Sequence, residues 1–482
     1  MDFKKEIKLF DAVMLVAGTM IGSGIFIVSS DMARELGSSG WLIVAWLLSG
    51  VITVIGALSY GELSGMFPKA GGQYIYLKEA YGPFVSFLYG WTLFLVIQTG
   101  TIAAVGVAFA KFSGVLFEPL SENNILVTVG KFKLSAAQFL GVGVTILLTY
   151  LNTKGVKNGK YIQNIFGSTK IIALILLIIA GFFIGFNMDT WNLNWENPWD
   201  SKLYKLNEDG TLNGIYSISG SVLIVGIGVA MVGSLFSSDA WNNVTFAGDE
   251  VVNPTKTLPR ALLIGTGLVT VIYILVNVVY LGIIPLVGNP DGNDAYELGM
   301  QFAKNDRVAI SAAWLSGGSV LVYIMALLIM VSTFGCQNGC ILSGARVYYS
   351  MAKDGLFFKP MAKLNSKGVP GVALWLQCIW ACLLCLSGSY GNLLNYVMFA
   401  VVLFYILTIV GIFILRRTKP DLARPYKAPL YPILPLLYIF LAGAFVYILF
   451  ENKQDYTLPG LIIIASGAPV YYLFSKKLKK SA

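Results

Sequence analysis

Histidine is absent from all 482 residues. That removes the commonest general base and the commonest metal ligand, and it argues against a membrane-embedded metalloenzyme. Charge is scarce as well: Asp, Glu, Lys and Arg together make up 12% of the chain, against about 25% in soluble domains. Cysteine is limited to Cys336, Cys340, Cys378, Cys382 and Cys385, all in apolar runs, so no disulfide framework is expected. No small-residue cleavage site follows Lys4, Lys5 and Lys8, so the first apolar run is not a removable signal. Nucleophile motifs and cofactor-binding domains are also missing, which points away from an enzyme and from any cofactor.

What is present is apolar surface. The chain is 56% hydrophobic with a mean hydropathy of +0.72. Runs of about twenty such residues recur along almost its whole length, the pattern of an all-α integral membrane protein. Twelve spans are expected, at about 10–30, 40–66, 84–110, 135–153, 160–187, 217–246, 259–285, 310–350, 370–388, 391–415, 430–450 and 457–475. The eighth exceeds one crossing, so its end should run into water. The longest stretch between spans, about 188–216, carries Trp191, Trp195 and Trp199 and suits a membrane interface.

Lys and Arg concentrate on the segments that share a side with the termini, including Arg416-Arg417-Thr418-Lys419 and Lys476-Lys477-Leu478-Lys479-Lys480. This bias predicts a multi-pass protein with both termini cytoplasmic. The net charge of +9 therefore reads as topology, with the lipid bilayer rather than nucleic acid as the partner.

Two spans contain residues that a spanning helix should avoid. Gly18-Thr19-Met20-Ile21-Gly22-Ser23-Gly24-Ile25-Phe26 lies in the first, and Phe236-Ser237-Ser238-Asp239-Ala240-Trp241-Asn242-Asn243 in the sixth. Each glycine weakens a helix by roughly 1 kcal/mol relative to alanine. Irregular backbone at membrane depth is tolerated only where protein buries it or it lines a polar cavity. Gly18 and Gly22 alone also fit a close helix contact. The paired positions favour two broken helices, each opening a five-helix set. Five is odd, so the sets have opposite topology: a 5+5 inverted repeat of about 10–187 and 217–416, followed by two helices at about 430–475 in one domain.

A helix resuming after a break offers free N–H groups to an anion, and a helix ending there offers carbonyls to a cation. Facing breaks therefore suit a zwitterion such as an α-amino acid. The amides of Ser23, Gly24 and Ile25 are the expected carboxylate donors, and the carbonyls of Met20, Phe236 and Asp239 the expected ammonium acceptors. Thr19 and Ser237 flank the same breaks. The Phe236 ring suits either an aromatic gate or plain core packing.

The first of these stretches resembles the first-helix motif of the amino acid–polyamine–organocation transporters. Three further stretches are similar to their L-type branch: Tyr60-Gly61-Glu62-Leu63 with Phe67-Pro68-Lys69-Ala70-Gly71-Gly72-Gln73-Tyr74, then Trp241-Asn242-Asn243 with Glu250 and Asn253-Pro254, and Phe334-Gly335-Cys336-Gln337-Asn338-Gly339. The resemblance spans nearly the whole chain. It implies sodium-independent, alternating-access transport of amino acids across the plasma membrane, by exchange or with a proton. An amino-acid sensor that binds without transport is the alternative.

Animal members of that branch join a heavy chain through a cysteine between helices 3 and 4. Residues 111–134 contain none, so no disulfide-linked heavy chain is expected and a bacterial relative is implied. Asp239-Ala240 stands where many members have two glycines, which resembles members that accept cationic as well as neutral amino acids. The same carboxylate could instead bond the loosened backbone of helix 6. Lys170 could snorkel to the interface. The resemblance matches it instead to a fifth-helix lysine that stands in for sodium between helices 1 and 8, with Ser23, Cys336 and Asn338 as neighbours. Glu62 reads as a structural hydrogen-bonding group.

Overall fold

Gly, Ser and Asp punctuate the apolar runs, and several helices of the computed structural model are bounded by them, as at Gly37, Ser38, Gly82, Ser135 and Asp294. It describes residues 5–129, 132–207, 212–387 and 390–481, with the side chains of 129, 132, 156–162, 206, 390–394, 396 and 476–481 left aside. The Lys476–Lys480 cluster thus lies outside the described side chains. In chain order the helices are α1 (Leu9–Met20), α2 (Ser29–Leu36), α3 (Ser39–Met66), α4 (Gln73–Tyr81), α5 (Pro83–Thr92) and α6 (Gln98–Leu116). A hairpin, β1 (Ile125–Val129) and β2 (Phe132–Ser135), precedes α7 (Ala136–Thr153), α8 (Val156–Ala180) and α9 (Met188–Trp195). A second hairpin, β3 (Lys202–Leu206) and β4 (Leu212–Ser217), leads into α10 (Gly220–Ser237) and α11 (Asn243–Phe246). The rest is α12 (Pro254–Ile283), α13 (Ala295–Leu298), α14 (Val308–Lys353), α15 (Gly371–Ser387), α16 (Tyr390–Thr418), α17 (Ile433–Asn452) and α18 (Gln454–Ser481).

Among the described residues, ten helical segments are long and apolar enough to cross a membrane. Leu9–Met20 and Gly371–Ser387 are apolar but shorter. Long helices suit this medium because every backbone group bonds within its own segment. The stretch expected as a plain interfacial loop instead folds into α9 and the β3–β4 hairpin, where Trp41 and Trp199 meet edge to face at 5.3 Å. The overlong eighth span is one element, α14, bent where Gly317 and Gly318 leave helical geometry; Gly318 takes a φ of 63° that glycine adopts without strain.

The two ends of the bundle are fastened differently. At the end holding the N-terminus, Ile7 pairs with Val251, and Glu250 makes a two-pronged ion pair with Arg346 of α14 at 2.5 and 2.9 Å. These side chains are only 1% and 2% exposed. Glu62 is likewise buried and bonded, to Arg416 at 2.7 and 2.9 Å and to the Ala428 amide at 2.8 Å, which fits the structural role read from sequence. At the far end, Arg34 of α2 holds Asp31 and reaches Asp306 at 2.9 Å. Burial alone would raise the Asp306 carboxyl, but Arg34 and Lys111 outweigh it and hold it below the ordinary carboxylate range.

Removing one partner of a fully buried pair strands the other charge, at a cost of about 3–5 kcal/mol. Glu250→Ala is therefore expected to lower the thermal midpoint of the purified protein sharply. Glu79→Ala, which breaks a half-exposed pair with Lys419, should change it little. Size-exclusion profiles after heating measure both.

Candidate functional site

α1 ends at Met20, and Ile21 turns out of the helix at ψ 88°. A short tight turn, Gly24–Phe26, precedes α2. Phe26 and Ile27 donate back to Ser23 and Gly24 at 3.1 and 2.9 Å, whereas among the described residues the amides of Gly24 and Ile25 have no backbone acceptor. The sixth span opens in the same way: α10 stops at Ser237, residues 238–242 are irregular, and α11 resumes at Asn243. The break starts later than the glycine pattern suggested. Gly18 and Thr19 are still helical, and Gly18 serves packing, since a Cβ there would lie 2.3 Å from Gln163 Nε2.

The breaks touch. A Cβ on Gly24 would come within 2.0 Å of Ser237 Oγ and 3.0 Å of its Cα. Gly24 is not in the left-handed region, so glycine is needed here for close approach, not for an unusual φ. Thr19 Oγ1 reaches across to the Ala240 carbonyl at 2.9 Å. The Tyr273 hydroxyl of α12 lies 3.1 Å from both the Met20 and the Ser237 carbonyls, the last acceptors of the two ending helices. The Phe236 carbonyl accepts from the Asp239 amide at 3.1 Å. Of the expected ammonium acceptors, Met20 and Phe236 therefore already have internal donors.

Lys170 is 1% exposed and does not snorkel. Its Nζ donates to the carbonyls of Gly18 and Ile21 in the first break, at 2.5 and 2.8 Å, and of Ser332 in α14, at 3.1 Å. Cys336 Sγ sits 3.0 Å from the Thr19 carbonyl and so joins α14 to the same break. Asn338 does not belong to this group. Its amide bonds Asn152 at 2.8 Å and Gln163 at 3.5 Å, because a residue two positions beyond Cys336 faces another side of the helix. The neighbour that sequence reading missed is Ser332, one turn before Cys336, whose hydroxyl also approaches the Ile21 and Gly22 carbonyls.

Asp239 is 9% exposed. Its Oδ1 accepts from the Tyr405 hydroxyl of α16 at 2.7 Å, and the carboxylate also accepts from the Ala240 amide of the loosened backbone, the alternative read from sequence. Among the described residues it has no ion-pair partner. Small cavities of about 10 and 20 Å³ flank it, one edged by Gln98 and Thr101 and the other by Thr53 and Trp241. Each has room for about one water. Asn242 adds a second tie to α16, through Gln73 at 2.9 Å and on to Thr408 at 3.0 Å. Gln98 could have been flagged as a polar residue inside an apolar span, but nothing marks Tyr273 or Tyr405 among 25 tyrosines.

Among the described residues, the arrangement offers amides without a backbone acceptor, shared carbonyls, one buried carboxylate and a fixed ammonium around two facing helix ends. It is built to hold a charged ligand, not to react with it. A family model described as Amino acid permease matches residues 7–469. The chain is 30% identical over 438 residues to the b(0,+)-type amino acid transporter 1 of Mus musculus, covering 90% of this chain and 81% of that one. It is 30% identical to the Serine/threonine exchanger SteT of Bacillus subtilis (strain 168), covering 92% and 90%. It is also 31% identical to the Large neutral amino acids transporter small subunit 2 of Homo sapiens, covering 90% and 74%.

Ala240 holds a φ of 63°, a conformation that costs a residue with a Cβ roughly 1–2 kcal/mol. Ala240→Gly relieves that strain and gives back part of it through a more flexible unfolded chain. A net gain of about 0.5–1 kcal/mol is expected, seen as a raised thermal midpoint.

Proposed function

This chain belongs to the amino acid permease family, and we propose that it carries amino acids across the plasma membrane by alternating access, as a sodium-independent exchanger. The observation that carries this reading is the meeting of the two helix breaks at Gly24 and Ser237. The Gly24 and Ile25 amides suit the substrate carboxylate. The Met20 and Ser237 carbonyls, now shared by the Tyr273 hydroxyl, suit its ammonium. An entering amino acid wedges the breaks apart and replaces that hydroxyl.

Twelve crossings in a 5+5 inverted repeat follow when α1 with α2 and α15 are counted beside the ten long segments. The distribution of Lys and Arg puts both termini in the cytoplasm. The relatives are named for neutral and b(0,+)-type transport and for exchange, which supports neutral and cationic amino acids as cargo here. Exchange of internal unlabelled for external labelled amino acid in proteoliposomes tests the whole reading. Binding without accumulation would overturn it.

Asp239 favours cationic side chains, which compete for the carboxylate that Tyr405 now holds. Asp239→Asn is expected to weaken competition by arginine about tenfold more than competition by leucine, equivalent to about 1.4 kcal/mol. Equal losses would assign Asp239 to structure alone.

Lys170 supplies a fixed positive charge to the first break, so replacing sodium with choline should leave the rate unchanged. Lys170→Ala strands the Gly18, Ile21 and Ser332 carbonyls. It should slow exchange at least roughly tenfold in a protein that still reaches the membrane. Normal kinetics in that variant, or strong sodium dependence of the natural protein, would refute the assignment.

A further inference from the structure

A third cavity, of about 730 Å³, lies at the far end between α2, α10, the β3–β4 hairpin and the α17–α18 turn. That volume is within the usual range for small-molecule sites, about 300–1,000 Å³, and far above the water-sized spaces beside Asp239. Its floor is the apolar face of α10, from Val222 to Gly233, with Val28 opposite. Val28 and Gly233 are in contact: a Cβ on Gly233 would lie 2.8 Å from Val28 Cβ. Gly233 is also the residue whose carbonyl accepts from Ser237 Oγ at 2.8 Å. The floor therefore ends one helical turn from the point where the two breaks meet.

The rim carries both signs of charge. Arg34 is engaged by Asp31, Asp306 and the Gln301 carbonyl. Lys205 lies over the Tyr216 ring, 5.3 Å from its centre. The remaining opposite charges, Lys453 and Glu35, stand 3.8 Å apart with side chains 34% and 30% exposed. Charge-assisted N–H···O bonds close at about 2.7–2.9 Å. The pair is therefore an open one, facing the cavity from two different elements.

We propose that this cavity is a second, outer binding site for the zwitterionic head of an α-amino acid, with Glu35 taking the ammonium, Lys453 the carboxylate and the α10 face the side chain. Bound there, the ligand completes an ion pair that the protein leaves open, and it waits behind the Val28–Gly233 contact for the breaks to part. The site rests on the transport reading, and it differs from the central one in using side-chain charges instead of helix ends.

The test uses Val229→Cys on the cavity floor, in nanodiscs that expose both faces, with a fluorescent maleimide and L-leucine as probe. The parent protein gives the background from the native cysteines. L-Leucine should slow labelling, and N-acetyl-leucine, which lacks the ammonium, should not. Protection should persist with Gly24→Val, which blocks the central contact, or with Ser237→Val if the first variant does not insert. Glu35→Gln with Lys453→Gln should raise the half-protecting concentration about tenfold. Loss of protection in the blocked variants would assign it to the central site and overturn the proposal. So would absence of protection in the unblocked protein, or indifference to the double substitution. Leucine exchange by the natural protein, measured in parallel, tests the transport reading separately.

Discussion

A backbone that leaves its helix inside an apolar slab loses its hydrogen-bond partners, and lipid supplies no replacements. Everything at the centre of this molecule answers that constraint. The first break exposes the carbonyls of Gly18 through Gly22, and each is met by a group from another helix: the Lys170 ammonium, the Cys336 thiol, the Tyr273 hydroxyl, the Ser332 hydroxyl. None of these comes from α1 itself. The break is thus stable only inside the assembled bundle, and α8, α12 and α14 are fixed around it because they supply the donors.

The second break is satisfied in another way. Its own turns close part of the gap, with Ser238, Asp239 and Asn243 donating locally. The external ties run to α16, through Tyr405 and through Gln73 to Thr408, and also to α1 through Thr19 and to α12 through Tyr273. The first break is tied to α8, α12 and α14 and the second to α12 and α16, and they meet at a contact where neither Gly24 nor Ser237 leaves room for another atom. The ion pairs at the two ends, Glu250–Arg346 and Arg34–Asp306, lie on either side of it.

Both breaks could be read in the sequence because helix interiors tolerate Gly-Ser-Gly and Ser-Ser-Asp poorly, and the membrane sharpens that penalty. Lys170 was visible as a charge inside an apolar run, but its depth alone left snorkelling open, and only the family resemblance pointed it at the first break. The exact start of the first break was not legible, because Gly18 packs a helix contact and looks identical in sequence to a glycine that opens the backbone. The hydroxyl donors were hidden too. Tyrosine and serine are ordinary in apolar spans, and only the fold brings Tyr273 between two helix ends 253 and 36 residues away. Asn338 was grouped with Lys170 through its motif, yet 100° of helical rotation per residue turns it toward Asn152 instead.

The lysine that ties the first break has one consequence for energetics. A metal ion in that position would arrive and depart with the cargo, and its gradient across the membrane would enter the work available for each cycle. An ammonium on a side chain stays with the protein in every state. On the role proposed for Lys170, the carrier has a fixture at this position in place of a fuel. For the sodium-independent exchanger proposed above, any accumulation is then drawn from the unequal concentrations of the solutes it trades.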